Sequence, residues 1–443
     1  MRLITTLFIL TSFGFSSAFS QFGLGERLKR KVEEKIERKT EEAVERALEK
    51  PFEEREESDE DSNGTNSPQD SGSSNSGRNS SSSDNSVKPE VASLKTYSKF
   101  DFIPGENVVF FEDFSQDAVG DFPVNWNTNG SGEIITTSLN EGKWLKMVNE
   151  ALYVPDIKHP FPENFTLEFD LLCNFNEEVS SNHLGYLRLE IMQIDNVRNS
   201  IKTDYLSTSE NLFNHIFEMD LQFLYESRIW IKNMVGWEDG GINNQLVGNW
   251  IKGQHRKPIH FSISVNKQRY RLWINEAKVV DIPRLVDKDA KNNLIRIFPY
   301  SLNMEYDFDL MISNIKFAEG TVDARSKLIT EGRLVTHGIT FDTGSDKIKP
   351  ESFAVIKSIA DVLAANADVK IMIVGHTDSD GNADKNQTLS EKRAAAVKNS
   401  LVGEFGIQES RIQTSGKGDK VPVAENNSTQ GKAQNRRVEF VKI

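Results

Sequence analysis

A chain of 443 residues is long enough for two or three domains, yet only 37% of it is hydrophobic, so part of it builds no core. The formal net charge of −13, with no long basic face in any segment that reads as folded, argues against a nucleic-acid binder. The single cysteine, Cys173, rules out an internal disulfide.

Residues 1–20 read as a secretory signal: Arg2, an apolar run from Leu3 to Phe15, and small residues Ala18 and Ser20 ahead of a cut before Gln21. The run is too short to span a membrane permanently, and no second run of spanning length follows. No cysteine follows the signal to take a lipid anchor, because Cys173 lies far off in "TLEFDLLCNF", where a buried strand thiol is expected.

Residues 21–52 are expected to form a charged amphipathic helix. Between Glu26 and Lys50, 17 of 25 residues are charged, and Glu26/Arg30, Glu34/Arg38 and Glu42/Arg46 are spaced to support a helix. Leu28, Val32, Ile36, Val44 and Leu48 make a thin apolar stripe that Pro51 ends. A solvated spacer helix accounts for the pattern better than a coiled coil, since heptad spacing is not kept. Residues 53–93 read as a disordered linker. From Ser58 to Ser86, 20 of 29 residues are Ser, Asn or Gly and none is aromatic, so the stretch cannot bury enough apolar surface to offset its ordering entropy. As a random coil of about 40 residues it spans roughly 35 Å.

Residues 94–322 alternate apolar with polar in short runs: "FTLEFDLL", "YLRLEIMQI", "HFSISVNKQRYRLWINEAKVVDIP" and "FDLMISNIKF". The third run turns back on itself at Asn266-Lys267 and Asn275-Glu276. Many short strands and few helical stretches predict a two-sheet, all-β antiparallel sandwich. That run, with "FFEDFSQDAVGDFPVNW", resembles the laminin-G and concanavalin-like jelly rolls through pattern rather than diagnostic residues. Such sandwiches include glycoside hydrolases with paired carboxylates on one strand. Here Glu168 and Asp170, and Glu218 and Asp220, lack the third acid of that arrangement, and the sequence has no Gly-x-Ser-x-Gly or His-Glu-x-x-His motif. In "WIKNMVGWEDGGINNQLVGNW", Trp230, Trp237 and Trp250 lie in or beside a Gly/Asn-rich stretch, where an exposed indole suits stacking on sugar rings or on a protein; Trp230 reads as core.

Residues 326–443 alternate strands ("LVTHGITF", "VKIMIVGHT", "RIQTSGKG", "RRVEFVKI") with helical stretches after Pro350 and Asp384, which predicts an α/β sandwich with helices on one face of a small sheet. Asn386, Leu389, Ser390, Arg393 and Val397 share one helix face, and Asp378 follows a strand in a loop that Gly381 allows to turn. A helix folded back over the strand end brings Arg393 toward Asp378. The pair then forms either a surface ion pair worth at most about 1 kcal/mol or a site for an amino acid, its ammonium on Asp378 and its carboxylate in the fork of Arg393.

Phe341-Asp342, Gly375-His376-Thr377-Asp378, Gly381, Asn386, Leu389-Ser390, Arg393-Ala394, Val397, Gly416, Gly418, Pro422, Thr429, Gly431 and Asn435-Arg436-Arg437-Val438-Glu439 follow a family's order across this region. They resemble the OmpA-like peptidoglycan-binding family, shared by OmpA tails, peptidoglycan-associated lipoproteins and flagellar-motor stators. Asp419 and Lys432 depart from it, standing where Glu and Arg are common. The resemblance covers about a quarter of the chain. It implies binding of the diaminopimelate of the cell-wall stem peptide by Asp378, Arg393, Asn386, Leu389, Ser390 and Thr343, without a metal, a cofactor or bond cleavage. It also accounts for the Gly416–Pro422 run, a weak lookalike of a phosphate loop. His376 has no His or Cys neighbour in sequence and reads as structural, as do Asn435-Arg436-Arg437 leading into the last strand.

The expected protein is a secreted, non-enzymatic component of a Gram-negative-type envelope, in the periplasm or associated with the cell wall or outer membrane. Its partners are peptidoglycan for the C-terminal domain and a glycan or envelope protein for the sandwich. The competing expectation is a carbohydrate-active enzyme or lectin whose sandwich is merely tethered to the wall. Limited proteolysis of the intact chain is expected to cut first within Ser58–Ser86 and leave a stable fragment beginning near residue 90; full protection of that stretch would count against an unfolded linker.

Overall fold

The computed structural model describes residues 100–443 except 158–159, 176–183, 197–200, 202–214, 224–226, 236–237, 251–253, 304–306 and 321–322. The signal, the charged helix, the Ser/Asn-rich linker and Trp237 lie outside the described residues.

The alternating runs are strands. In chain order they are β1 (Asn107–Glu112), β2 (Trp126–Thr128), β3 (Gly132–Thr136), β4 (Lys143–Met147), β5 (Tyr153–Pro155), β6 (Asn164–Asn174), β7 (Gly185–Gln193) and β8 (His215–Phe223). Then follow β9 (Ser227–Val235), β10 (Glu238–Gly248), β11 (Ile259–Asn266), β12 (Arg269–Ile274), β13 (Ala277–Ile282), β14 (Leu294–Tyr300) and β15 (Asp309–Glu319). They form two antiparallel sheets. One has the order β13-β12-β11-β6-β15-β4-β3, with β1 also on β15; the other runs β10-β9-β8-β7-β14-β5-β2.

Alternation explains how the sheets meet. Phe165, Leu167, Phe169, Leu171 and Cys173 of β6 share one buried cluster with Leu187, Leu189 and Ile191 of β7 and Met219 and Leu221 of β8. Phe169 and Phe261 stack across β6 and β11 with centroids 5.0 Å apart. Each fully buried side chain of this kind stabilises by roughly 1.5–3 kcal/mol relative to exposure. Burial pushes the Cys173 thiol up to about 12, so it stays protonated and inert.

Two local expectations shift. Asn266 pairs with Arg269, so the first hairpin turns on Lys267-Gln268, one residue later than the alternation implies, with Lys267 at φ 53°. The Gly/Asn-rich stretch is not an open loop but the β9–β10 hairpin, whose register slips between Asp239 and Asn243 around a positive-φ Gly241. Trp230 is half-buried beside Tyr186, whose ring stacks on Tyr300 at 4.7 Å, while Trp250 packs against the core.

The outward face of the larger sheet carries a charged cluster. His260 Nδ1 lies 2.6 Å from Asp170, which also accepts from Asn314 Nδ2 at 2.7 Å, and Lys316 pairs with Glu168 at 2.7 Å. The chain enters across the same face: Phe100 and Phe102 pack on Trp273, whose Nε1 donates to Asp101, and Gly105 N donates to Thr166 Oγ1.

The C-terminal domain contains β16 (Arg333–Thr336), α1 (Phe353–Ala365), β17 (Ile371–Gly375), α2 (Ala383–Gly403), β18 (Ile412–Gly416), α3 (Thr429–Asn435) and β19 (Val438–Lys442). Its sheet has the order β16-β19-β17-β18, with only β17 and β18 parallel. Ile359 and Leu363 of α1, Val397 and Leu401 of α2, and Ile371, Ile373 and Phe440 of the strands share one core. The two domains touch directly. Val108 and Ala318 cluster with Ala433, Thr429 Oγ1 donates to Phe111 O at 2.9 Å, and Gln434 Nε2 donates to Val108 O at 2.8 Å.

Two predictions follow from this packing. A Cβ on Gly375 would sit 2.3 Å from Ser390 O, so Gly375→Ala must push α2 off β17. Thermal melts should show a loss of about 1–3 kcal/mol, and an unchanged melting temperature would mean that the close approach is not required. Burial alone would lower the His260 pKa, but its bond to Asp170 and the charges of Asp170 and Glu168 raise it from 6.5 to about 10. A raised histidine stabilises fully below its unfolded value and progressively less up to its folded value. The stability gap between wild type and His260→Gln should therefore shrink as pH rises from 6.5 toward 10; a gap constant over that range would contradict a charged His260.

Candidate functional site

The loop after β17 and the start of α2 are fixed by short-range chemistry. Asn382 caps α2 by accepting from the backbone N–H groups of Asp384 and Lys385 at 2.9 and 3.2 Å, and Gly381 makes the preceding turn at φ 90°. Asn386, 6% exposed, donates through Nδ2 to the carbonyls of Asp378 and Asp380 and so ties the loop to the helix. Gly418 N donates to Ser390 Oγ at 2.9 Å, and a Cβ on Gly416 would meet that oxygen at 2.4 Å. The Gly416–Pro422 run is thus a packing loop against α2.

This framework sets Asp378 and Arg393 in one cleft of about 1310 Å³, lined also by Thr343, Leu389 and Arg436 and, from the two-sheet domain, by Phe111 and Glu168. Asp378 and Arg393 do not pair with each other. Arg393 Nε donates to Ser345 O at 2.9 Å and its guanidinium lies 4.8 Å from the Phe341 ring centroid. Its two terminal nitrogens have no hydrogen-bond partner among the described residues. Burial lowers its pKa, the charge of Asp378 opposes that, and the charge of Arg436 adds to it. The guanidinium nonetheless stays cationic at any physiological pH.

Asp378 is 8% exposed and pairs with Arg436: Nη1 lies 2.6 Å from Oδ2, while Oδ1 accepts from Asp380 N at 3.1 Å. The sequence reading gave Arg436 a tying role with its neighbours, and the three separate in the structure. Asn435, fully buried, accepts from Val423 N and Ala424 N and donates to Ala424 O and Asn426. Arg437 is buried against Glu439 at 2.8 Å. Arg436 is the one of the three that reaches Asp378. The signal that could have singled it out is its place one residue beyond a helix end that packs on another domain, which no local pattern encodes.

The other residues divide. Leu389 is half-buried on the cleft wall and Thr343 is exposed at its rim, on a loop closed by the Phe341–Ile348 bridge. Ser390 has no exposed surface and works behind the wall, donating to Gln387 O at 2.8 Å. Lys432 pairs with Asp380 at 2.8 Å at the edge of the site. His376 is 5% exposed, its backbone N–H donating to Arg437 O and its ring 3.3 Å from Glu439. No group of three or more metal-ligating side chains occurs among the described residues.

Glu168, Glu218 and Asp220 of the two-sheet domain are engaged with cations. Asp220 pairs with Arg188 at 2.7 Å and accepts from Tyr300 Oη, and Glu218 pairs with Lys232 at 3.2 Å. Burial raises the Glu218 pKa, opposed by the charge of Arg188. For Glu168, burial acts upward, but Lys316 and His260 hold its pKa down at about 2.

With the cleft in view, the comparisons fall on the domain that forms it. Residues 340–436 match the OmpA family. Outer membrane porin F of Pseudomonas aeruginosa is 41% identical over 28% of this chain and 35% of its own length. The probable lipoprotein YiaD of Escherichia coli is 40% identical over 24% of this chain and 47% of its own. The peptidoglycan-binding protein ArfA of Mycobacterium bovis is 37% identical over 24% of this chain and 33% of its own. The chain thus spans about a third to a half of these relatives' lengths. Asp378, Arg393 and Arg436 all lie in an OmpA-family domain at residues 340–436.

Proposed function

We propose that the C-terminal domain anchors this protein to peptidoglycan by binding the diaminopimelate of the stem peptide, without cleaving it, in the periplasm or at the outer membrane. The observation that carries the reading is the unequal engagement of the two charges in the cleft: Arg393 holds two terminal nitrogens without partners among the described residues, and each oxygen of Asp378 keeps acceptor capacity beyond one bond. A carboxylate takes the Arg393 fork and an ammonium takes Asp378. Leu389 and Thr343 line the stem of the ligand, while Asn386 and Ser390 hold the loop and helix that carry the two charges. The relative named as peptidoglycan-binding and those named as outer membrane proteins support both the ligand and the envelope location.

The two-sheet domain serves as a presented binding surface for a glycan. The run of half-buried Trp230, Tyr186 and Tyr300 on one face of its smaller sheet favours this reading, since neighbouring rings suit stacking on sugars. The engagement of Glu218 and Asp220 with Lys232 and Arg188 favours binding over hydrolysis.

Co-sedimentation of the full chain with purified cell wall tests the assignment. Asp378→Ala and Arg393→Ala should each cost about thirty-fold or more in affinity, as expected when one partner of a buried charge pair is removed. Walls carrying lysine in place of diaminopimelate should bind poorly, because lysine lacks the second carboxylate that Arg393 requires, and added salt should weaken binding throughout. Binding that remains in Asp378→Ala should persist on peptide-stripped glycan and fall in Trp230→Ala. Wild-type affinity in a folded Asp378→Ala, Arg393→Ala double variant refutes the proposal.

A further inference from the structure

Two of the arginines that line the cleft, Arg393 and Arg436, are each held over an aromatic ring. The ring under Arg393 is Phe341, within the same domain; the ring under Arg436 is Phe111, on β1 of the two-sheet domain, with its centroid 5.2 Å from the guanidinium carbon. The backbone around Phe111 is fixed to α3 by the Thr429 and Gln434 bonds, and Arg436 directly follows that helix. Building on the diaminopimelate reading, we infer that Phe111 is a positioning residue of the cell-wall site, acting through Arg436, so that the two-sheet domain forms part of the site that recognises the amino-acid head.

The reason lies in how Asp378 is shared. Its carboxylate has about four acceptor positions, of which Asp380 N occupies one on Oδ1 and Arg436 Nη1 one on Oδ2. An arginine facing a carboxylate favours a two-pronged contact with both oxygens. In that arrangement Arg436 would cover Asp378 and set its own cation where the ligand's ammonium has to sit. Attraction of the guanidinium to the Phe111 ring holds Arg436 to a single-nitrogen contact. Among the charges that line the cleft, Asp378 then keeps an open side and faces it together with the guanidiniums of Arg393 and Arg436. That arrangement suits an α-amino carboxylate, its ammonium on the open side of Asp378 and its carboxylate facing the guanidiniums.

The experiment titrates free meso-diaminopimelate into the full chain by calorimetry. Phe111→Leu should weaken binding about three- to ten-fold, the range expected for a lost arginine–ring contact, and Phe111→Tyr, which keeps a ring, should bind like wild type. In an Arg436→Gln background the Phe111→Leu change should have almost no effect, which a merely structural role for the ring would not produce. Equal losses in both backgrounds, or Phe111→Leu with wild-type affinity while Asp378→Ala abolishes binding, overturn this inference alone. Absence of binding by the wild-type chain overturns it together with the diaminopimelate reading.

Discussion

A carboxylate only 8% exposed, with a guanidinium 2.6 Å away, constrains everything built around it. Removing Arg436 would leave the buried Asp378 carboxylate without its cation, so the elements that present the two have to be held to each other. Asp378 is presented by the loop after β17, which the Asn386 side chain pins. Arg436 is presented by the end of α3, which the Thr429 and Gln434 bonds pin to β1. One ion pair therefore joins the strand-to-helix loop of the OmpA-family domain to the face of that domain that meets the two sheets.

The buried polar groups around it follow the same logic at lower cost. His376, Arg437 and Glu439 form a compact group under the cleft floor. In Glu439 burial acts to raise the pKa, but its bonds to His376 and Arg333 and the charge of Arg437 hold it well below the usual carboxylate range. On the two-sheet side, Glu168, Lys316, Asp170 and His260 balance two acids with two cations.

Much of this was legible from residue order. Period-2 alternation in β6 correctly separates Phe165, Leu167 and Phe169, which face the core, from Glu168 and Asp170, which do not, because a strand's two faces are fixed by parity alone. The helix after Asp384 and its inward positions Asn386, Ser390 and Val397 were equally readable from spacing. What escaped depends on contacts across long separations. Arg436 and Arg437 are neighbours with similar surroundings in sequence, yet one pairs with Asp378 and the other is buried against Glu439, because α3 docks on a strand more than 300 residues earlier. The Gly/Asn-rich stretch after Trp230 misled for a different reason: glycines that usually mark loops here accommodate a slipped register inside a hairpin.

The segment from Phe100 to Gly105 gives the molecule a mechanical character. It leads directly into β1, which begins two residues after Gly105. Tension from that side therefore enters at the aromatic contacts on Trp273 and passes into β1, whose antiparallel ladder with β15 is loaded along its length, so that its bonds resist together. From β1 the force crosses to α3 and reaches Asp378 through Arg436. A chain held at the cleft and pulled from its N-terminal side would be strained along this line, and the stacked aromatic core between the two sheets would stay out of the load path.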